Sequence, residues 1–181
     1  TRVVPPPARR PRRKPASVQA PARPGSIEEI ERGPSGKAIA AVFDFDGTLA
    51  DTAPDLGYAL NLLLERHARA PVPLQLSRPL ASRGARGMLE IGFGITPEHT
   101  QFDALRDEYL DLYERSMCRA SALFDGIDHL LGGLEARGLP WGIVTNKASR
   151  FTNPLLDHLG LASRAACVLS GDSAARAKPH P

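Results

Sequence analysis

Three short apolar runs, AIAAVF at 38–43, PWGIV at 140–144 and ACVL at 166–169, each break off into small polar residues, and the chain between them is patterned for helices. Apolar runs this short with turn residues behind them read as buried strands. Strands that alternate with helices pair in parallel, because a parallel neighbour is reached only by a crossover. The expected fold class is therefore α/β, a parallel sheet covered on both faces by helices. Ligands on such sheets lie beyond the carboxyl ends of the strands, where Asp44, Thr145 and the pair Gly171-Asp172 fall.

The folded part is expected to begin near Lys37, after SIEEIERGPSG (26–36), a short helix ended by Gly33 and Pro34. After Thr52, the residues Leu56, Leu60, Leu63, Leu64 and His67 share one face at helical spacing, and Pro71 and Pro73 close that helix. A second stripe of Phe102, Leu105, Tyr109, Leu112 and Ser116 follows the start signal Thr96-Pro97. Residues 53–120 thus read as a helical insert between the first strand, in 37–52, and the rest of the sheet, in 121–181. In that second half, Ile127, Leu130, Leu131 and Leu134 mark a helix stopped by Gly138, and residues 151–159 mark another stopped by Gly160.

Charge narrows the partners. The formal net charge is +3, yet residues 1–25 hold seven cations and no acid, so the remaining chain carries −4. A basic nucleic-acid-binding body is not indicated. The Pro- and Arg-rich residues 1–36 read as a disordered tail, since prolines remove backbone donors and few large apolar residues offset chain entropy. A solvated extension is the first reading of that tail and a docking arm for anionic partners the second. The tail lacks the apolar stretch of a secretory signal, and no run reaches membrane-spanning length, so no membrane is expected. Cys118 and Cys167, far apart and without metal-type spacing, read as buried free thiols of a reducing, cytoplasmic compartment.

The stretch AVFDFDGTLADT (41–52) carries the chemistry. Two carboxylates at i and i+2 after a strand can face one pocket while Phe45 between them packs elsewhere. A calcium loop of the EF-hand kind is excluded, because Gly47 follows Asp46 directly and a strand precedes the pair. A nucleophile with its proton-transfer partner and a polar turn at a strand end both remain open for the pair alone.

The string FDFDGTLADT resembles the first motif of the haloacid dehalogenase superfamily, D-x-D-G-T after a buried strand. WGIVTNK is similar to that superfamily's second motif, a strand ending in Thr or Ser, and GDSAARAKPHP to its third, a lysine before proline. Within the superfamily, RPLASRGARGM, LFDG and LPWGIVTNK resemble phosphoglycolate phosphatases and the nearby branch acting on N-acetylmuramic acid 6-phosphate. The resemblance spans Lys37 to Pro181. It implies a Rossmann-like parallel core with a helical cap after the first strand. The implied activity is Mg²⁺-dependent hydrolysis of a small phosphorylated metabolite of the 2-phosphoglycolate type, with N-acetylmuramic acid 6-phosphate as the alternative substrate.

The resemblance also implies residue roles. Asp44 becomes the nucleophile that forms an aspartyl-phosphate, and Asp46 the acid and base of its two half-reactions. Thr145, through hydroxyl and amide, Asn146, through its backbone, and Lys178 bind the phosphate; Mg²⁺ rests on Asp44 and the Asp46 carbonyl. Ser82, Arg83, Gly84 and Arg86 of SRGARGM are candidate substrate residues of the cap, because guanidinium suits planar anions; solvated surface arginine is the alternative. A fourth motif, G-D-x-x-x-D, would complete the magnesium site. GDSAARA precedes the lysine and has Arg176 where the second acid is required, and the sequence reaches Pro181 without another candidate. The expectation is a core lacking its last strand or strands, belonging to an active phosphatase or to an inactive remnant that at most binds phosphorylated ligands.

Overall fold

The computed structural model describes residues 40–173, 176, 178 and 179; the expected tail and the helix at 26–36 lie outside the described residues. In chain order, β1 (Ala41–Phe43) turns into β2 (Ala50–Asp51) and helix α1 (Ala53–Arg66). Helices α2 (Leu74–Ser77), a 3₁₀ segment (Arg78–Arg83), α3 (Ala85–Phe93) and α4 (Phe102–Ser116) follow. The chain then runs through β3 (Ala122–Leu123), α5 (Ile127–Glu135), β4 (Trp141–Val144), α6 (Ser149–His158) and β5 (Cys167–Leu169). The main sheet has the order β1-β4-β5. Both pairings are parallel, Ala41 opposite Trp141 and Gly142 opposite Cys167, as the alternation of strands and helices predicts. Strands β2 and β3 form a separate antiparallel ribbon.

Two apolar clusters organise the chain. Phe45, Leu49, Leu131, Trp141, Ile143, Leu155, Leu156 and Leu161 pack around the sheet. Leu60, Leu63, Leu64, Met88, Leu89, Phe102, Leu105, Tyr109 and Tyr113 pack between α1, α3 and α4. Phe151 of α6 joins this second cluster and ties the helical layer to the sheet layer. All four leucines of the α1 stripe are buried, and so is each of the five residues of the α4 stripe. Leu130, in contrast, is exposed on α5, where only Leu131 is buried.

Helix boundaries depart from the sequence reading where backbone geometry overrides proline and threonine signals. Helix α1 stops before Pro71, because Ala68 turns left-handed (φ 52°) and the Arg69 N–H bonds back to the Leu64 carbonyl at 2.9 Å. Helix α4 begins at Phe102 rather than at Thr96-Pro97, since His99 bonds to Thr96 and Phe102 to His99 in consecutive turns. Gly138 and Gly160 do end α5 and α6, with φ of 66° and 70°. Both cysteines are free, and they are half-buried rather than buried.

The chain enters and leaves the helical layer side by side. Asp55, 1% exposed in the first turn of α1, accepts hydrogen bonds from the backbone N–H groups of Arg119, Ala120 and Ser121 and from the Ser121 hydroxyl. One carboxylate therefore binds the outgoing and the returning segments together. Four donors offset the cost of burying its charge.

Candidate active site

The loop after β1 folds around a single acceptor. The Phe45 carbonyl receives the N–H groups of Thr48, Leu49 and Ala50, while the Gly47 N–H bonds to the Ala50 carbonyl at 2.9 Å. Gly47 sits at φ 77°, a conformation that side-chain-bearing residues rarely adopt. Phe45 and Leu49 are fully buried and anchor the loop. The alternation then leaves Asp44 and Asp46 on the cleft side, as the i, i+2 spacing predicts.

Asp44 Oδ1 accepts from the Phe45 N–H at 2.8 Å and pairs with Lys178 Nζ at 2.8 Å. Lys178 Nζ also donates to the Val144 carbonyl at 2.7 Å, so the lysine spans the ends of β1 and β4. Its backbone is held by Asn146: the Lys178 N–H donates to Asn146 Oδ1 at 2.9 Å and Asn146 Nδ2 donates to the Lys178 carbonyl at 3.3 Å. Asn146 thus positions the lysine with its side chain. Its own backbone N–H has no acceptor among the described residues. Thr145 is 3% exposed at the end of β4, and its N–H is committed to the Leu169 carbonyl at 2.8 Å. Only its hydroxyl, which also accepts from the Lys147 N–H at 3.1 Å, remains for a ligand.

Asp46 is held differently. Its Oδ1 accepts from the Thr52 hydroxyl and pairs with Lys147 Nζ at 3.0 Å. The Lys147 side chain is only 8% exposed, and Nζ also donates to the Tyr113 hydroxyl of α4 at 3.1 Å. Burial, and then the charges of Asp46, Asp55 and Cys118, push the Tyr113 phenol far up, so it stays neutral. Sequence patterning assigns Lys147 and Tyr113 no role. The available signals were a lysine three residues beyond the end of β4 and a tyrosine four residues after Tyr109.

These groups line one cleft of about 440 Å³ between the sheet ends and the helical layer. Asp44, Asp46, Thr145, Asn146, Lys147 and Lys178 form its floor, and Ser82, Arg83 and Gly84 reach it from the 3₁₀ segment and the turn after it. Gly84 (φ 57°, ψ −142°) occupies a region open essentially to glycine alone. Arg83 pairs with Glu90. Arg86 lies elsewhere, in a neighbouring hollow with Arg83, Pro97, Phe102, Asp103 and Arg106. Asp172 caps α6 instead of facing the cleft, accepting from the Ser149 N–H and hydroxyl; those bonds, side chain first, lower its pKa. Asp51 pairs with Arg78 at 2.8 Å.

Among the described residues no three His, Cys, Asp or Glu side chains gather as a metal cage. The Asp44 carboxylate and the backbone carbonyl of Asp46 are hard oxygen donors of the kind that suit Mg²⁺. That ion is commonly held by one or two carboxylates, waters and substrate phosphate.

Comparison with known proteins identifies the family. Residues 41–181 match the family described as haloacid dehalogenase-like hydrolase. An N-acetylmuramic acid 6-phosphate phosphatase of Pseudomonas aeruginosa is 40% identical over 142 residues, 78% of this chain and 63% of the relative. A phosphoglycolate phosphatase of Xanthomonas campestris pv. campestris is 39% identical over 142 residues, 78% of this chain and 64% of the relative. The chain therefore spans less than two thirds of the length of these relatives. A crystal structure from Haemophilus somnus, described as a predicted phosphoglycolate phosphatase, shares the fold with a TM-score of 0.67 at 24% identity, covering 78% of this chain and 66% of that one. With a family model matching residues 41–181 and two curated relatives near 40% identity, the chain is a member of the haloacid dehalogenase-like hydrolase family.

Proposed function

We propose that the protein carrying this chain hydrolyses a small phosphate monoester through an aspartyl-phosphate on Asp44. The observation that carries this reading is Lys178, whose Nζ contacts both Asp44 Oδ1 and the carbonyl closing β4. A cation so placed neutralises the nucleophile and the incoming phosphoryl oxygens together. Asp44 Oδ2 is the attacking oxygen. The Thr145 hydroxyl and the Asn146 N–H bind phosphoryl oxygens, and Lys178 stays on them through the transfer. Asp46 protonates the departing alkoxide through Oδ2, because Thr52 and Lys147 both occupy Oδ1. It then takes a proton from the water that cleaves the aspartyl-phosphate. Mg²⁺, held by the Asp44 carboxylate and the Asp46 carbonyl, would reduce repulsion between anionic nucleophile and anionic substrate.

Residues 53–120 act in this reading as a cap that closes over the floor, with residues 37–52 and 121–181 as the core. Arg83 and Gly84 lie on the cap's cleft side. The two free cysteines support a reducing, cytoplasmic setting.

2-Phosphoglycolate is the first substrate proposed, from the relatives that bear its name. N-acetylmuramic acid 6-phosphate is the second. The size of the cleft favours it: about 440 Å³ lies in the range of sites for drug-sized ligands, more than a two-carbon ester fills. Both esters carry a carboxylate besides the phosphate. The test is steady-state kinetics of the full-length protein with Mg²⁺ on the two esters, beside Asp44→Asn. Turnover that disappears in the folded variant is expected; turnover that persists would overturn the nucleophile assignment. A wild-type protein inactive on every phosphate ester offered would favour a phospholigand-binding remnant.

A further inference from the structure

Lys147 is the enclosed cation of the cleft to which the proposed phosphoryl chemistry gives no contact with the substrate. Three cations line that cleft among the described residues: Arg83, Lys147 and Lys178. Lys178 is committed to Asp44, and Arg83, nearly half exposed, is paired with Glu90. Lys147 differs from both in being 8% exposed, bonded on one side to Asp46 of the floor and on the other to Tyr113 of the helical layer.

That position has a chemical consequence, resting on the phosphatase reading above. Asp46 contacts the ester oxygen that leaves with the alcohol. Lys147 Nζ, 3.0 Å from Asp46, lies next to whatever the alcohol carries close to that oxygen. We propose that Lys147 is the residue that reads a carboxylate on the leaving alcohol, and that the natural substrates are phosphate monoesters carrying such a carboxylate. In the free protein Asp46 and the neutral Tyr113 hydroxyl hold the ammonium in place. In the complex the substrate carboxylate becomes a further acceptor, and an ammonium has three donors for these three oxygens. An enclosed site strengthens such a pair, because little water competes for it. The Tyr113 ring, its centroid 4.9 Å from Nζ, shields the ammonium from the cap side.

Two phosphonates with Mg²⁺ present separate this role from a structural one. 3-Phosphonopropionate has a carboxylate where propylphosphonate has a methyl group, and neither can be hydrolysed. Isothermal calorimetry on the full-length protein is expected to show 3-phosphonopropionate binding at least about tenfold more tightly, the worth of one charge-assisted hydrogen bond. Lys147→Gln is expected to reduce that preference to less than about threefold by weakening the carboxylate ligand alone, and Lys147→Arg to retain part of it. Equal weakening of both ligands by Lys147→Gln would overturn the assignment, and so would a wild-type protein that binds both equally, whether or not the variant folds. Wild-type protein that binds neither phosphonate would remove the phosphoester reading itself, and this inference with it.

Discussion

Asp46 receives both of its described side-chain contacts on one oxygen, and the Thr52 hydroxyl is one of them. Thr52 is 2% exposed at the entry to α1 but makes no side-chain cap bond there. Its hydroxyl donates to Asp46 instead, the acid and base of the proposed reaction. Thr52→Val is expected to lower kcat by roughly tenfold to a hundredfold, since a hydrogen bond to a charged group contributes about 1.5–3 kcal/mol. Thermal unfolding and kinetics measured together check this; a fall in Tm with kcat unchanged would assign Thr52 to folding alone. The sequence pattern leaves Thr52 between helix start and site, because a threonine before Pro54 and Asp55 fits both and only the tertiary path of the loop decides. Asp44, Asp46, Thr145 and Lys178 were legible as a group through their order along the chain. Lys147 was not, since its contacts join residues 46, 113 and 147, which no local spacing connects.

At the scale of elements, the loops after β4 and β5 interlock. The Gly171 N–H bonds to the Lys147 carbonyl at 2.9 Å, and a Cβ on Gly171 would overlap the carbonyl of Asn146. Gly171→Ala is therefore expected to displace the loop that carries Asn146 and Lys147. Activity should fall by at least about tenfold, with about 1–3 kcal/mol lost in urea unfolding, the range for overpacking; unchanged kinetics would show that the loop yields freely. The long helices α1 and α4 were readable because their stripes repeat over four turns. The 3₁₀ segment and the two-residue strands β2 and β3 were not, since elements this short hold no period and exist only through partners distant in sequence. Asp55 is the side chain that connects such partners. Asp55→Ala leaves three backbone N–H groups and a hydroxyl without their acceptor, and is expected to cost about 3 kcal/mol or more. Denaturant titration reads this loss directly.

At the scale of the whole molecule, depressed carboxylates join neighbouring elements within each layer and contribute to the response to acid. His67 and then Arg66 of α1 lower Glu108 of α4, and Arg164 and then Trp141 lower Glu135 of α5. Each folded pKa lies below its unfolded value. The stability these groups add is thus fully present above the ordinary carboxylate range and is lost as pH falls through the folded values. Tm is expected to stay level from about pH 6 to 8 and to decline below about pH 5. Glu108→Gln should flatten the acid limb, and an acid limb identical to wild type would exclude Glu108 from it.

The shared carboxylate at the crossing bears on motion as well as stability. Two separate connections would let the helical layer tilt, twist and slide over the sheet ends. Here the crossing is paired instead, bolted by Asp55 and flanked by the β2–β3 ribbon, so the two connections are tied to each other. The two segments of the crossing are thereby held as one unit, and beside it Tyr113 of the helical layer meets Lys147 of the sheet end at 3.1 Å.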